Sequence, residues 1–266
     1  MSQIKIVIAG PRGNMGKEAV KMVEKVTDFE LLAVVDSRNN GKMVRDLEGL
    51  PPLEVPVYEQ MEECLQKHQP DVLIDLTNPK FGRKHMEAAF KFGVSPVVGT
   101  TGFTDQDLLE LDAIAKSQKI GAIIAPNFAI GAILMMKFAQ TAAKYMPDVE
   151  IIERHHDRKL DAPSGTAIKT AQLISEVREK KNQGHPEERE ELAGARGADY
   201  EGMKIHSVRQ PGLVAHQEVV FGSVGQTLTI RHDSINRESF MPGIELAVRA
   251  VKNIESLVYG LEHLMD

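Results

Sequence analysis

The chain has 266 residues, 42% of them hydrophobic and 26% charged, with a formal net charge of -6 and a single cysteine. These values fit an ordinary soluble globular protein of roughly two domains, and one cysteine leaves no internal disulfide. The acidic balance argues against a general nucleic-acid binder, and no apolar stretch approaches the length of a membrane span, so neither nucleic acid nor membrane is an expected partner.

Met1-Ser-Gln-Ile-Lys runs straight into a strand-like segment without a signal-peptide pattern, which makes the cytoplasm the expected location. Residues 4–9 form a short apolar, β-branched run ending at glycine, and an amphipathic stretch follows over 15–26. This predicts strand, tight turn, helix. Apolar runs recur at 31–35, 72–76, 96–98 and 122–124, with helix-like segments at 59–68, 83–92 and 105–119 between most of them. Such alternation predicts a parallel sheet covered on both faces. Cys64 occupies an apolar position within 59–68 and reads as packing.

After Pro126-Asn127-Phe128 the pattern changes. A long apolar helix is expected over 130–145, a strand over 149–153, and another helix ending near residue 178. The charge-rich stretch 179–202 reads as a long solvated loop. Runs at 203–209, 215–221 and 226–232 predict an antiparallel meander. Helical spacing over 240–264 predicts a last helix, which returns to pack on the first domain. The expected division is therefore 1–126 with 237–266 in an α/β domain, and 127–236 in an α+β domain.

Gly10-Pro11-Arg12-Gly13-Asn14-Met15-Gly16 follows the first strand and opens the first helix, the context a dinucleotide-binding turn requires. Its spacing is G-x-x-G-x-x-G, where the usual fingerprint is G-x-G-x-x-G, so the position supports the motif more than the glycines do. Asp36 closes the second strand, where an acid accepts hydrogen bonds from the adenosine ribose. Arg38 and Arg12 are placed to meet a 2′-phosphate instead, which leaves NADH and NADPH both open as cofactor. Gly99-Thr100-Thr101-Gly102 ends another strand and is assigned to the nicotinamide end. Asn127 and Phe128 either line the same crevice or serve as hinge and core. A Rossmann-like first domain is the expectation.

The densest chemistry lies in Glu153-Arg-His155-His156-Asp-Arg-Lys159-Leu-Asp161-Ala-Pro163-Ser164-Gly165-Thr166. Histidine exchanges protons near neutral pH, and lysine holds a carboxylate or stabilises developing negative charge. Pro163 suits a turn, Ser164 a helix cap, and Gly165 lets a ligand approach free N–H groups. The segment reads as a site for an anion that gets protonated. His155, His156, Asp157 and Asp161 are also potential metal ligands, but neighbours in extended chain point to opposite sides and Lys159 would repel a cation, so no metal is expected.

Together, the glycine turn with Asn14-Met15-Gly16, Gly99-Thr-Thr-Gly102, Ala125-Pro126-Asn127-Phe128 and the His155–Thr166 segment resemble the 4-hydroxy-tetrahydrodipicolinate (dihydrodipicolinate) reductase family, over nearly the whole chain. The resemblance implies hydride delivery from NADH or NADPH to a cyclic, dicarboxylated unsaturated imine, giving tetrahydrodipicolinate in lysine and diaminopimelate biosynthesis. Carried over by motif position, His155 is the general acid/base and Lys159 a proton donor or charge stabiliser. His156, Gly165 and Thr166 hold substrate carboxylates, with Ser164 nearby. The resemblance also implies a homotetramer built through the second domains and closure of the domains around substrate. Pro11 departs from the small residue many members carry, and Asp36 stands where some have Glu.

Two other readings use the same nucleotide fold. A non-catalytic nicotinamide-binding sensor needs no acid/base pair, and the His155/Lys159 segment argues against it. Another NAD(P)-dependent dehydrogenase of small acids is the second. Its semialdehyde-type form requires a catalytic thiolate, and Cys64 lies in the wrong domain to supply one.

Overall fold

The computed structural model describes residues 3–265. The chain forms two compact units, Met1–Phe128 with Phe240–Asp266, and Ala129–Ser239. The breaks fall two and three residues beyond 127 and 237. Phe128 stays with the first unit because its ring lies against Gly99 and its carbonyl against Gly243.

In the first unit, β1 (Ile4–Ala9), β2 (Phe29–Val35), β3 (Val57–Tyr58), β4 (Val72–Asp75), β5 (Ser95–Val98) and β6 (Ala122–Ile124) alternate with α1 (Asn14–Lys25), α2 (Met61–His68), α3 (Pro79–Lys91) and α4 (Asp105–Gln118). After the excursion into the second unit, α7 (Met241–Val251) and β12 (Leu257–Tyr259) complete it. The seven strands run parallel in the order β12-β6-β5-β4-β1-β2-β3. Ile6, Val7, Ile8, Leu73 and Ile74 are all fully buried, as central strands covered on both faces require. Each such side chain contributes about 1.5–3 kcal/mol by leaving water. Cys64 belongs to this core, where burial pushes its thiol up to about 12.

Helix starts are written locally. The Asn78 side chain accepts the Lys80 N–H with Pro79 following, and Thr104 and Asp107 form a reciprocal capping box. The expected helix over 240–264 stops at Val251. Leu257–Tyr259 instead pairs with Ala122–Ile124, because an exposed strand edge offers hydrogen bonds that a continued helix would leave unmade.

The second unit packs α5 (Ile130–Ala143) and α6 (Gly165–Ser175) on a five-stranded sheet of β7 (Asp148–His155), β8 (Ala198–Tyr200), β9 (Met203–Arg209), β10 (Ala215–Ser223) and β11 (Gln226–Ser234). Its order, β11-β10-β7-β9-β8, corrects the expected meander. Of the three strands expected there, β10 and β11 form a hairpin but β9 does not join them; β7 lies between β10 and β9, antiparallel to the first and parallel to the second. Val149, Ile151 and Glu153 give β7 a face buried by the helices, an alternation that does not specify which strands flank it. The loop expected over 179–202 contains β8, a three-residue strand too short to show alternation, paired to β9.

Candidate active site

Parallel register places Val35, Ala9, Asp75, Val98 and Ile124 in one row across the first sheet. The segments leaving these strands, 10–16, Asp36, 76–78, 99–102 and 125–128, therefore emerge along one edge. Strand order reverses at β1, and the carboxyl side of such a reversal is where an open α/β sheet leaves a crevice. A cleft of about 380 Å³ opens there, lined by Gly10, Arg12, Gly13, Asp36, Ser37 and Leu76 among others.

Close packing requires the glycines of the turn. Gly10 has φ +82°, in the left-handed region, and a Cβ on Gly16 would stand 2.0 Å from the Gly10 carbonyl oxygen. Helix α1 begins after Gly13 with no side-chain cap and no acid in its first turn. Its unpaired N–H groups and positive end thus suit a phosphate. Asp36 is buried and accepts from Arg12 Nε at 2.6 Å, Asn39 Nδ2 at 2.8 Å and the Arg38 N–H at 3.0 Å. Burial pushes this carboxyl upward, but the three donors outweigh it and hold the group below its ordinary value. An anion for ribose hydroxyls and a guanidinium for phosphate therefore lie side by side.

Of the expected cofactor residues, Gly10, Arg12, Gly13 and Asp36 line the cleft. Pro11 and Gly16 are buried behind the turn, and Asn14 and Met15 open α1. The Arg38 side chain is exposed. Gly99 backs the Leu76 wall: a Cβ there would come within 2.7 Å of Leu76 and 3.0 Å of Phe128. Thr100, Ala125 and Phe128 are buried, while Thr101, Gly102 and Pro126 are exposed and Asn127 is half-buried. Thr77, Asn78, Phe81 and His85 also line the cleft, although the sequence reading leaves them out. Beneath them the fully buried Asp75 accepts from Thr77 N–H and Oγ1 and pairs with His85 Nδ1 at 2.7 Å. The signal was a polar Thr-Asn-Pro directly after an apolar strand. The glycine cradle, the helix start and the paired Asp36 fit a dinucleotide.

In the second unit, β7 delivers His155 at its last position, and a turn closed by the Lys159 N–H on the His156 carbonyl leads towards α6. Glu153, fully buried, holds the site together. Its Oε2 meets His155 Nδ1 at 2.5 Å and Arg209 Nη1 at 2.9 Å. Its Oε1 accepts from Arg209 Nη2 at 2.7 Å and from the Ser164 N–H at 3.2 Å. Burial would raise this carboxyl, yet hydrogen bonds from His155, Arg209 and Ser207 overcome it and hold it at about 2. Arg209 Nη2 also donates to the Asp161 carbonyl at 2.8 Å, and Lys159 Nζ pairs with the Asp161 carboxylate at 2.8 and 2.9 Å. One network thus runs from His155 through Glu153, Arg209 and Asp161 to Lys159.

Ser164 caps α6 by accepting the Ala167 N–H at 3.2 Å, and it is buried. Its N–H is given to Glu153, and its hydroxyl oxygen accepts from the helix. Gly165 opens the helix to a ligand, since a Cβ there would meet no heavy atom within 4 Å. Thr166 follows in the same first turn, and its carbonyl accepts from Thr170 Oγ1. His156 Nδ1 is buried without a hydrogen-bond partner. Glu153 and Arg209 are the members the sequence reading missed as site residues. Glu153 was legible as a charge continuing the buried alternation of Val149 and Ile151; Arg209, at the end of β9, carries no local signal. Among the described residues, no group of three metal-capable side chains gathers.

Family models for the N-terminal and C-terminal parts of dihydrodipicolinate reductase match residues 4–128 and 131–265. The chain is 70% identical to the 4-hydroxy-tetrahydrodipicolinate reductase of Shouchella clausii, covering 98% of this chain and 99% of that one. It is 68% identical to the Halalkalibacterium halodurans protein of the same name, over 99% and 100%. Among solved structures, a dipicolinate-bound dihydrodipicolinate reductase from Paenisporosarcina superposes with a TM-score of 0.89 at 53% identity, covering 99% of this chain and 100% of that one. An amine dehydrogenase from Mycobacterium smegmatis, at 15% identity and a TM-score of 0.70, over 98% and 96%, shares the fold alone.

Proposed function

This chain belongs to the dihydrodipicolinate reductase family, and from that premise we propose that it reduces the dehydrated form of 4-hydroxy-tetrahydrodipicolinate to tetrahydrodipicolinate, using its two units as nucleotide holder and substrate site. The observation that carries the reading is local to the second unit. A proton-exchanging imidazole, His155, and an open helix start at Gly165 are joined through a single carboxylate, Glu153.

The first unit holds the nucleotide through the 10–16 turn, Asp36 and the loops at 99–101 and 125–128. NADH or NADPH, when bound, supplies the hydride. Addition of hydride to a conjugated imine leaves the ring one proton short, and the protein must provide it. His155 serves as that acid. Its Nδ1 is engaged by Glu153, which leaves Nε2 to exchange the proton. Lys159 stabilises the charge developing on the ring, held meanwhile by Asp161. His156 and the first N–H groups of α6, at Gly165 and Thr166, receive the carboxylates.

The enzyme is further proposed to be a cytoplasmic homotetramer. No helix among the described residues is long and apolar enough to cross a membrane. Support for association comes from the five-stranded sheet, whose helix-free face carries Ile152 and Val220 among Arg154, Glu218 and Arg231.

The test separates binding from chemistry. His155→Ala lowers kcat by about 10²–10⁴-fold, the usual worth of a general acid, while Thr166→Val chiefly raises KM for the substrate. Wild-type kinetics in both variants would contradict the site.

A further inference from the structure

Glu153 is an ionised carboxylate on the helix-covered face of β7, in line with Val149 and Ile151 and fully buried. Such a group costs several kcal/mol unless every lone pair is met. Here each is met, and by groups from three elements: His155 on β7 itself, Arg209 and Ser207 on β9, and the Ser164 N–H at the start of α6. Arg209 is fixed through its two Nη atoms, while its Nε is buried without a partner. Besides Glu153, its two Nη atoms donate to the Val208 and Asp161 carbonyls, each at 2.8 Å.

Residues 153 and 155 lie two apart on one strand and so project to the same face. An ionised carboxylate can only accept, so the ring nitrogen 2.5 Å from it must carry the hydrogen. His155 is thereby locked with Nδ1–H towards Glu153. A ring flip would leave a buried carboxylate oxygen short of a donor.

We propose that Glu153 is a positioning residue for His155, that Arg209 is the clamp that holds Glu153, and that the pair sets the acid, the Lys159 loop and the α6 anion cradle in register. The proposal rests on the reading of His155 as the proton-transfer group. It adds that this group's tautomer is fixed by a buried ion pair, and that the two carboxylate oxygens divide the work. One oxygen aims the acid; the other ties down the helix start.

The test uses full-length enzyme in four forms: wild type, Glu153→Gln, Arg209→Lys and His155→Asn. Ring-nitrogen NMR of histidine-labelled protein, with His155 assigned by its absence from the Asn variant, is expected to show Nδ1–H in the wild type. In E153Q that deshielded proton moves or vanishes, because the carboxylate acceptor is gone. kcat is expected to fall at least about tenfold in E153Q and less in R209K, which keeps the charge but not the fork, with nucleotide affinity unchanged. A change in ring tautomer accompanying the loss of kcat marks positioning, since a loss of stability alone would leave the folded enzyme's His155 spectrum as it was. Should E153Q fail to fold, Glu153→Asp keeps the charge and shortens the reach, and the same two measurements are read on it.

If His155→Asn is crippled while E153Q keeps both the wild-type spectrum and kcat, the proposal is overturned and the acid assignment stands. If His155→Asn retains wild-type kcat, the acid assignment fails, and the positioning role fails with it.

Discussion

Asp36 and Glu153 are both buried carboxylates, one in each unit, and each is paired with an arginine. Burial penalises their charge, whereas the pairing and extra donors favour it, and the hydrogen bonds win in both. For Glu153 this has a consequence for stability. Its folded value of about 2 lies below the ordinary 4.5, so its contribution is complete above pH 4.5 and is lost as pH falls through about 2. Urea unfolding measured across that window should show wild-type stability declining more steeply with acid than that of E153Q. Parallel declines would mean that the carboxylate is not held ionised by the fold. His155 and Lys159 were legible from their types and spacing alone. Arg209 was not, because it reaches Glu153 across 56 positions of sequence through β7–β9 pairing.

Two helix starts illustrate opposite uses of glycine. At α1, Gly16 is needed because the Gly10 carbonyl oxygen occupies the place of a Cβ, whereas at α6, Gly165 faces open space. Gly16→Ala should cost about 1–3 kcal/mol of stability and abolish nucleotide binding. Gly165→Ala should change stability by less than about 1 kcal/mol, since alanine is the better helix former. Its effect falls on substrate, as a KM raised about tenfold if the lost approach is worth one charge-assisted hydrogen bond. Thermal melts and steady-state kinetics on the two variants separate these outcomes; a Gly165→Ala enzyme with unaltered KM argues against the cradle. Most strands and helices were readable from period and punctuation. The exceptions are β3 and β8, too short to alternate, and β12, whose helical spacing was overridden by an unpaired sheet edge.

The two units were visible in the sequence as a change of pattern near residue 127, because a βα alternation and a β-rich stretch bury different faces. Strand order in the second sheet was not, since local periodicity carries no information about which strand lies between two others. That order sets what the sheet presents to solvent. Ile152 and Val220 sit on the helix-free face within a network of Arg154, Glu218 and Arg231. Equilibrium sedimentation should give four times the chain mass for wild type and a smaller species for Val220→Asp; a monomeric wild type would refute tetramer formation.

The most direct measurement is the loss of reduced-nicotinamide absorbance when enzyme, NADH or NADPH, and freshly generated 4-hydroxy-tetrahydrodipicolinate are mixed. Oxidation by the wild type that disappears in the His155→Ala/Lys159→Ala double variant, with nucleotide affinity retained, is the predicted result. Tight nucleotide binding by the wild type without oxidation, or undiminished oxidation by the double variant, would contradict it.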